Sequence, residues 1–498
     1  MKLNSVRFFI VTTLACVLLQ WASTAAGATN SVGAYRTDQI LIKPKAGIAH
    51  GALEAFHAAQ GVKVKQVFRS GGTQLIAVPA NETVQDLIAK YQKSGLVEFS
   101  EPDYTNYHLC ATMPNDPAFV SGLLWGLYNY GQSGGTPGAD IDAPDAWGVL
   151  NSASNIVVAV LDSGILATHE DLASNMWVNP VDGGHGFNAF DGTNDPADDS
   201  TSHGTMMAGV MGAVGNNGVG VTGVAWRLQM MDCKCFNNGG ASTATIVACI
   251  DYAVANGARI INASFGASSG SAALSNAIAA AQSAGIIWVN AAGSSAGNDD
   301  TSPFYPPSYN LDNMVSVAAT TRSNTLSQIS NYGATTVALA APGEAIYSTF
   351  DSSNSAYYPN PNSGLYLASS SYSAAYVSGA LALMMAKYPA ENYHQIIARL
   401  LNATDPLPAL QGKCVTGGSL NLRKALNPDM WLSTGNASGG GLELQLSTGP
   451  NRVCTLQSSS DLVNWTSVYT NTTATNGIFD FTNTAALPSQ FFRATTIP

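Results

Sequence analysis

The chain has 498 residues, 46% hydrophobic and only 11% charged, which is enough apolar material for a large buried core and for three domains. A formal net charge of −11 excludes a nucleic-acid groove, since binding to phosphate needs a basic surface. Most of the acidic excess lies after residue 109, as expected of a soluble extracellular protein rather than a membrane-surface binder.

Residues 1–28 read as an export signal. Lys2 and Arg7 precede an apolar run over 8–21, and Ala26-Gly27-Ala28 offers a small-residue cleavage site. The run is too short for a comfortable membrane span. Residues 35–110 form a first unit, with strands expected over 38–47, 73–80 and 97–107 and helices over 53–61 and 84–95. From 113 to 427 apolar strands (155–162, 227–235, 259–266, 285–293, 314–320 and 335–343) alternate with helical segments such as 243–257. That alternation predicts an α/β doubly wound parallel sheet. Residues 428–440 have the Pro/Gly/Ser/Asn texture of a linker. Residues 441–498 alternate apolar and polar residues in short runs, which predicts a small β-sandwich.

Three positions in the middle unit carry nucleophilic chemistry as a set. Asp162 closes the β-branched run 156–161 and is followed by Ser163 and Gly164, so a buried strand delivers a carboxylate at its C-terminal end. Alone it could simply cap a turn. His203 opens a small-residue helix after Ser202, where an ordinary surface histidine would look the same. Ser371 lies between a serine-rich loop and a helical run, so its hydroxyl sits where amide dipoles favour developing negative charge, or merely caps the helix. Composition cannot choose among Ser369, Ser370, Ser371 and Ser373. The order carboxylate, imidazole, hydroxyl is one arrangement of an acyl-transfer site. An esterase would more often place its serine first, within a G-x-S-x-G that is absent around Ser371.

Together these segments resemble the subtilisin-like serine proteases (subtilases, peptidase S8). Asp162-Ser163-Gly164 matches the family's D-[ST]-G, and His203-Gly204-Thr205 matches its H-G-T. The serine motif G-T-S-x-x-x-P appears as Ser369-Ser370-Ser371 with Ala375 in place of the proline, and Val377 and Gly379 fall on the family's V-x-G. The resemblance implies a secreted endopeptidase acting on protein or peptide substrates, with Ser371 as nucleophile, His203 as base and Asp162 orienting the ring. It implies that residues 35–110 are an inhibitory propeptide, an intramolecular partner cut off between His108 and Pro114. Where the family supplies an oxyanion-hole asparagine this chain has Ser294, with Asn290 and Asn298 as alternative donors. A catalytically weakened binding protein on the same fold is therefore the rival reading.

The resemblance also places an extended substrate beside Ser264, Phe265 and Gly266. It gives Ala291, Ala292 and Gly293 as the other wall of the first specificity pocket, and Phe304 as either its floor or core packing. It implies a structural Ca²⁺ held by Asp116, Asp171 and Asn217, whose oxygens are the hard ligands that ion prefers. Cys233 and Cys235 share one strand face, and either could reach Cys249. An odd count among Cys233, Cys235, Cys249, Cys414 and Cys454 leaves at least one thiol without an internal partner.

Overall fold

The computed structural model describes residues 35–48, 50–68, 72–104, 112–194, 196–198, 201–358, 368–427, 430–436, 442–448, 453–459, 466–473, 478–483 and 491–496. The expected export signal and most of the 108–114 junction lie outside the described residues. Contacts divide the chain into two units, Met1–Tyr107 and His108–Pro498.

In the first unit, β1 (Tyr35–Pro44), β2 (Val64–Val67), β3 (Gln74–Ala77) and β4 (Val97–Tyr104) make an antiparallel sheet in the order β2-β3-β1-β4. Helix α1 (His50–Ala59) and helix α2 (Val84–Ser94) accompany it. Val84, Leu87 and Tyr91, at helical spacing, form the buried stripe of α2 and meet Ile40, Ile42, Leu53 and Ile76. Thr83 caps α2, and Gly95, at φ 71°, ends it. His57 is buried here between the Tyr91 hydroxyl at 2.6 Å and Gln74 at 3.0 Å, so it is a core histidine. Strand β2 escaped the sequence pattern because all four of its residues are exposed.

The second unit opens with short helices α3 (Pro117–Val120) and α4 (Ala143–Trp147). Then follow β5 (Ser152–Asp162), β6 (Gly186–Asn188), α5 (His203–Gly212), β7 (Arg227–Lys234), α6 (Thr243–Ala255), β8 (Ile260–Ala263), α7 (Ala272–Ser283) and β9 (Ile287–Ala291). After these come β10 (Met314–Thr320), β11 (Leu339–Pro342), β12 (Ser348–Phe350), β13 (Ala356–Tyr358), α8 (Ser370–Lys387), α9 (Tyr393–Asn402), β14 (Asp405–Pro406), β15 (Gly418–Ser419) and α10 (Leu422–Leu426). The main sheet runs β14-β15-β11-β10-β9-β8-β5-β7-β6, parallel at every pairing except β14 with β15.

Both faces of this sheet are covered, which explains the unbroken apolar strands. Val158, Ala159, Val160 and Leu161 of β5 have no exposure at all. Val158 and Val160 join the core built with α5, α8 and α10, while Ala159 and Leu161 join the one built with α6 and α7. Helix α8 is buried at every residue from Ser370 to Met385, so it is a central helix, apolar or small all round.

Beyond α10 the backbone departs from the sequence reading. Met430–Asn436, with the composition of a linker, forms strand β16, which pairs along its length with β17 (Leu442–Thr448). Backbone pairing to a neighbour, rather than local propensity, makes this strand. With β18 (Val453–Ser459), β19 (Thr466–Thr472), β20 (Ile478–Asn483) and β21 (Phe491–Thr496) it completes two three-stranded antiparallel sheets, β16-β17-β20 and β19-β18-β21. Leu446 and Cys454 pack between them with Tyr469 and Phe481. Among the described residues no helix is long and apolar enough to cross a membrane.

Candidate active site

Strand β5 delivers Asp162 into the interior with 4% of its surface exposed, and α5 begins at His203. Their approach depends on glycine. A side-chain carbon on Gly204 would stand 2.0 Å from the Gly164 carbonyl oxygen, and Gly164 has φ +105°. His203 Nδ1 donates to Asp162 Oδ1 at 2.7 Å, and the Ser163 amide donates to the same oxygen at 2.8 Å. One imidazole nitrogen is thereby fixed, which sets the orientation of the ring.

A network behind this pair was not visible in the sequence. Ser163 Oγ donates to Asp198 at 2.6 Å and accepts the Gly204 amide at 3.0 Å. The Thr205 amide donates to the other Asp198 oxygen at 3.0 Å. Asp198 thus ties the end of β5 to the start of α5. Burial pushes its carboxyl up to about 6, although the bonds from Ser163 and Thr205 pull the other way. Several acidic residues crowd this loop in sequence, and nothing in their spacing singles out Asp198. Lys234, buried at the end of β7 and paired in register with Asp162, donates to the Ser163 and Ala197 carbonyls.

Ser371 lies in the first turn of α8 beneath its cap, Ser369. Its Oγ donates to the Ser264 carbonyl at 3.2 Å, and Ser264 Oγ donates back to the Ser371 carbonyl at 3.1 Å. Ser371 is therefore fixed to the strand-end segment that carries Phe265 and Gly266. Ser294 also reaches this helix end, where its Oγ accepts the Ser370 amide at 3.2 Å. Gly293 exchanges two bonds with Ser370 Oγ, at 3.0 and 2.9 Å. Asn290 and Asn298 do not reach the cluster by the bonds they make. Asn290 Nδ2 donates to the Ala291 carbonyl, and Asn298 Oδ1 accepts the Asp300 amide.

Asn331 shapes the loop after β9 and was also missed. Its Oδ1 accepts the Ser295 and Gly297 amides, each at 3.0 Å, and its Nδ2 donates to Asp299 at 2.9 Å. A side-chain carbon on Gly293, at φ +124°, would lie 2.4 Å from Asn331 Nδ2. Burial pushes the Asp299 carboxyl up to about 7.

A cavity of about 300 Å³ opens beside Asp162 and His203, lined also by Phe236, Ser264 and Phe265. The Phe236 and Phe265 rings lie 5.0 Å apart and make its apolar side. Gly266 presses on Phe304, with only 2.2 Å from a would-be side-chain carbon to that ring, so Phe304 walls the segment directly after Phe265. Ala291 and Ala292 are buried. A larger cavity of about 530 Å³, lined by Asp300, Asp312, Ile397 and Leu401 among others, contains none of the expected site residues.

Asp116, Asp171 and Asn217 come together away from this cavity. Asn217 Nδ2 donates to Asp171 at 2.8 Å, and the Asn216 and Asn217 amides donate to Asp116 at 2.7 and 3.2 Å. Burial pushes Asp171 up to about 7, and the nearby Asp116 charge adds to the rise. Asn217 Oδ1 accepts the Val219 amide and the second Asp171 oxygen accepts the Val221 amide, so as bonded here these hard oxygens are engaged with the protein itself and would have to turn to hold a divalent cation. Among the described residues no three of His, Cys, Asp or Glu gather to hold a metal, so the remaining ligands would be amide and main-chain oxygens. None of the five described cysteines forms a disulfide; Cys233, Cys235 and Cys249 are buried in one core with α6.

Known proteins resemble this chain in sequence and in fold. The subtilase family model matches residues 153–468, and a model of the fervidolysin N-terminal prodomain matches residues 22–103. Thermitase of Thermoactinomyces vulgaris is 36% identical over 241 residues, covering 48% of this chain and 77% of thermitase. Subtilisin DY of Bacillus licheniformis is 34% identical over 249 residues, 50% of this chain and 82% of the relative. Among solved structures, a protease of Pseudoalteromonas arctica PAMC 21717 superposes with a TM-score of 0.51 at 28% identity, covering 63% of this chain and 99% of the other. Because the matched family model spans well over half of the chain, this protein belongs to the subtilase family and is a subtilisin-like serine endopeptidase with an N-terminal prodomain.

Proposed function

We propose that the enzyme is exported as a self-processing zymogen and cleaves peptide bonds with Ser371 as nucleophile. The observation that carries this reading is the 2.7 Å bond from His203 to a buried Asp162, beside a cavity wall to which Ser371 is bonded through Ser264. Ser371 Oγ attacks the scissile carbonyl while His203 takes the hydroxyl proton and Asp162 stabilises the resulting imidazolium. His203 then delivers that proton to the leaving amine. A water, deprotonated by the same imidazole, opens the acyl-enzyme and releases the acid product.

The Ser371 amide and Ser294 are the donors for the oxyanion, and the extended substrate pairs with the Ser264–Gly266 backbone against the Gly293 segment. Residues 35–110 act as an intramolecular inhibitor removed between His108 and Pro114, and the sheets after residue 430 are an accessory module. Asp116, Asp171 and Asn217 would hold Ca²⁺, which would stabilise the fold by cancelling the repulsion of buried carboxylates. Chelation should lower the melting temperature of an inactive Ser371→Ala variant, and calcium should restore it. An unchanged melting curve removes the ion from the account.

Ser294 favours one rival, a subtilase fold retained for binding, because losing an oxyanion donor costs about 10²–10³ in turnover. Expression of the full chain beside Ser371→Ala separates the two. The wild type should secrete a product shortened at the 108–114 junction and should digest casein, whereas the variant should keep its prosegment. If both keep the prosegment and neither digests casein, the binding reading replaces this one.

A further inference from the structure

The hydroxyl of Ser369 lies among the groups that the proposed reaction needs for a substrate's carbonyl oxygen. In acyl transfer the oxyanion sits against the nucleophile's own amide, beside the nucleophilic oxygen and within reach of a second donor. Ser369 Oγ accepts the Ser371 amide at 3.1 Å, donates to Ser371 Oγ at 2.9 Å and lies 3.3 Å from Ser294 Oγ. Hydrogen bookkeeping makes the match closer. Ser294 Oγ already accepts the Ser370 amide, so its hydrogen remains to be donated. Ser370 Oγ commits its own hydrogen to the Gly293 carbonyl. Ser294 O–H and Ser371 N–H can thus converge on one oxygen, as two donors converge on an oxyanion.

We propose that Ser369 is a built-in occupant of the oxyanion hole, a surrogate for the substrate oxygen that each incoming peptide must displace. The inference rests on Ser371 being the nucleophile. Ser294 Oγ lies 3.3 Å from both Ser369 Oγ and Ser370 Oγ; in the proposed resting arrangement its hydrogen turns to Ser369, while Ser369 donates to Ser371 Oγ and Ser371 to the Ser264 carbonyl. The nucleophile's hydrogen points at a carbonyl, and a neighbouring hydroxyl occupies its lone pair. Substrate entry breaks this chain. Ser369 turns about its Cα–Cβ bond, the amide passes to the substrate oxygen, and Ser371 is released to give its hydrogen to His203. Backbone angles of φ −161° and ψ 139° at Ser369 are ordinary extended values, so only the side chain has to move. A residue without a hydroxyl at position 369 leaves the hole open from the start.

The test is a double-mutant cycle on the full-length, self-processed protein. Ser369→Gly deletes the occupant, and glycine remains an acceptable helix cap, so the fold is retained. Ser369→Gly should raise the rate of Ser371 labelling by a fluorophosphonate and the affinity for a peptide boronic acid, each by about tenfold, the factor set by the hydrogen bonds no longer surrendered. Ser294→Asn in the wild-type background should raise kcat/KM by less than it does in the Ser369→Gly background, because a longer-reaching donor also holds Ser369 more firmly in the resting hole. In the Ser369→Gly background the whole difference between the two donors should reach the oxyanion, at most the roughly 10²-fold worth of one donor. Ser369→Ala, which lacks the hydroxyl but keeps the side-chain carbon, should label as fast as the glycine variant. Equal labelling of wild type and Ser369→Gly, slower labelling of the variant, or an equal gain from Ser294→Asn in both backgrounds would overturn the occupant. Absence of labelling in both wild type and Ser369→Gly would overturn the assignment of Ser371 and this inference with it.

Discussion

At Gly204 one methyl group decides whether the Asp162 carboxylate and the His203 imidazole can meet. It would stand 2.0 Å from the Gly164 carbonyl and 3.2 Å from Asp162 Cβ, with backbone rather than a flexible side chain in the way. Gly204→Ala should therefore destabilise by about 1–3 kcal/mol through overpacking and should lower kcat more than it raises KM. Thermal unfolding of the Ser371→Ala background and peptide kinetics of the active enzyme measure the two effects. Asp162→Asn tests a different property, since it keeps the shape but presents the wrong partner to the imidazole. It should lower kcat by about 10⁴ with little change in melting temperature.

Asp162 and His203 were legible because each stands at a strand or helix end with small residues that announce the turn. Asp198 and Asn331 were not. Their roles come from bonds to Ser163 and Asp299, partners 35 and 32 residues away, and no local pattern marks them.

Strands buried on both faces wrote themselves into the sequence as unbroken apolar runs, so β5, β8, β9 and β10 were read from the chain directly. The failures share one cause. Strand β2 is exposed at all four residues, and β16 is specified by pairing with β17 rather than by its own composition. Helix starts are more local and therefore more predictable. Ser242 and Thr245 form a reciprocal capping box at α6, with bonds of 3.1 and 3.0 Å. Ser242→Ala should cost about 0.5–2 kcal/mol, read as a lower denaturant midpoint at unchanged slope. Because α6 covers the face of the sheet opposite α8, proteolytic rate per folded molecule should stay as it was.

For the molecule as a whole, acidity should stabilise rather than weaken it over one window. Burial raises Asp140 to about 7, Asp198 to about 6 and Asp299 to about 7. Each binds its proton more tightly folded than unfolded. The resulting stability is fully present below the ordinary carboxylate range and is lost as pH rises through 6 to 7. His169 opposes this, since burial lowers its pKa and it loses stability as pH falls. Cys249, held down to about 5 beside Cys233 and Cys235, opposes it as well, but Asp171, raised by burial to about 7, joins the other side, and the four carboxylates outweigh both. The melting temperature of Ser371→Ala should therefore rise from pH 7.5 to pH 5.5, and a falling value would show that these carboxyls are hydrated in the native protein.

The burial of α8 carries a consequence in time. Ser371 and Ser370 take their partners from Ser264 and Ser294, 107 and 76 residues earlier, at the mouth of a helix that is itself the middle of the protein. Such distant pairings carry a high loop-closure cost, so the cluster is complete only when the intervening sheet has closed. On the proposed assignment of Ser371, a half-folded chain carries the serine without the partners that position it.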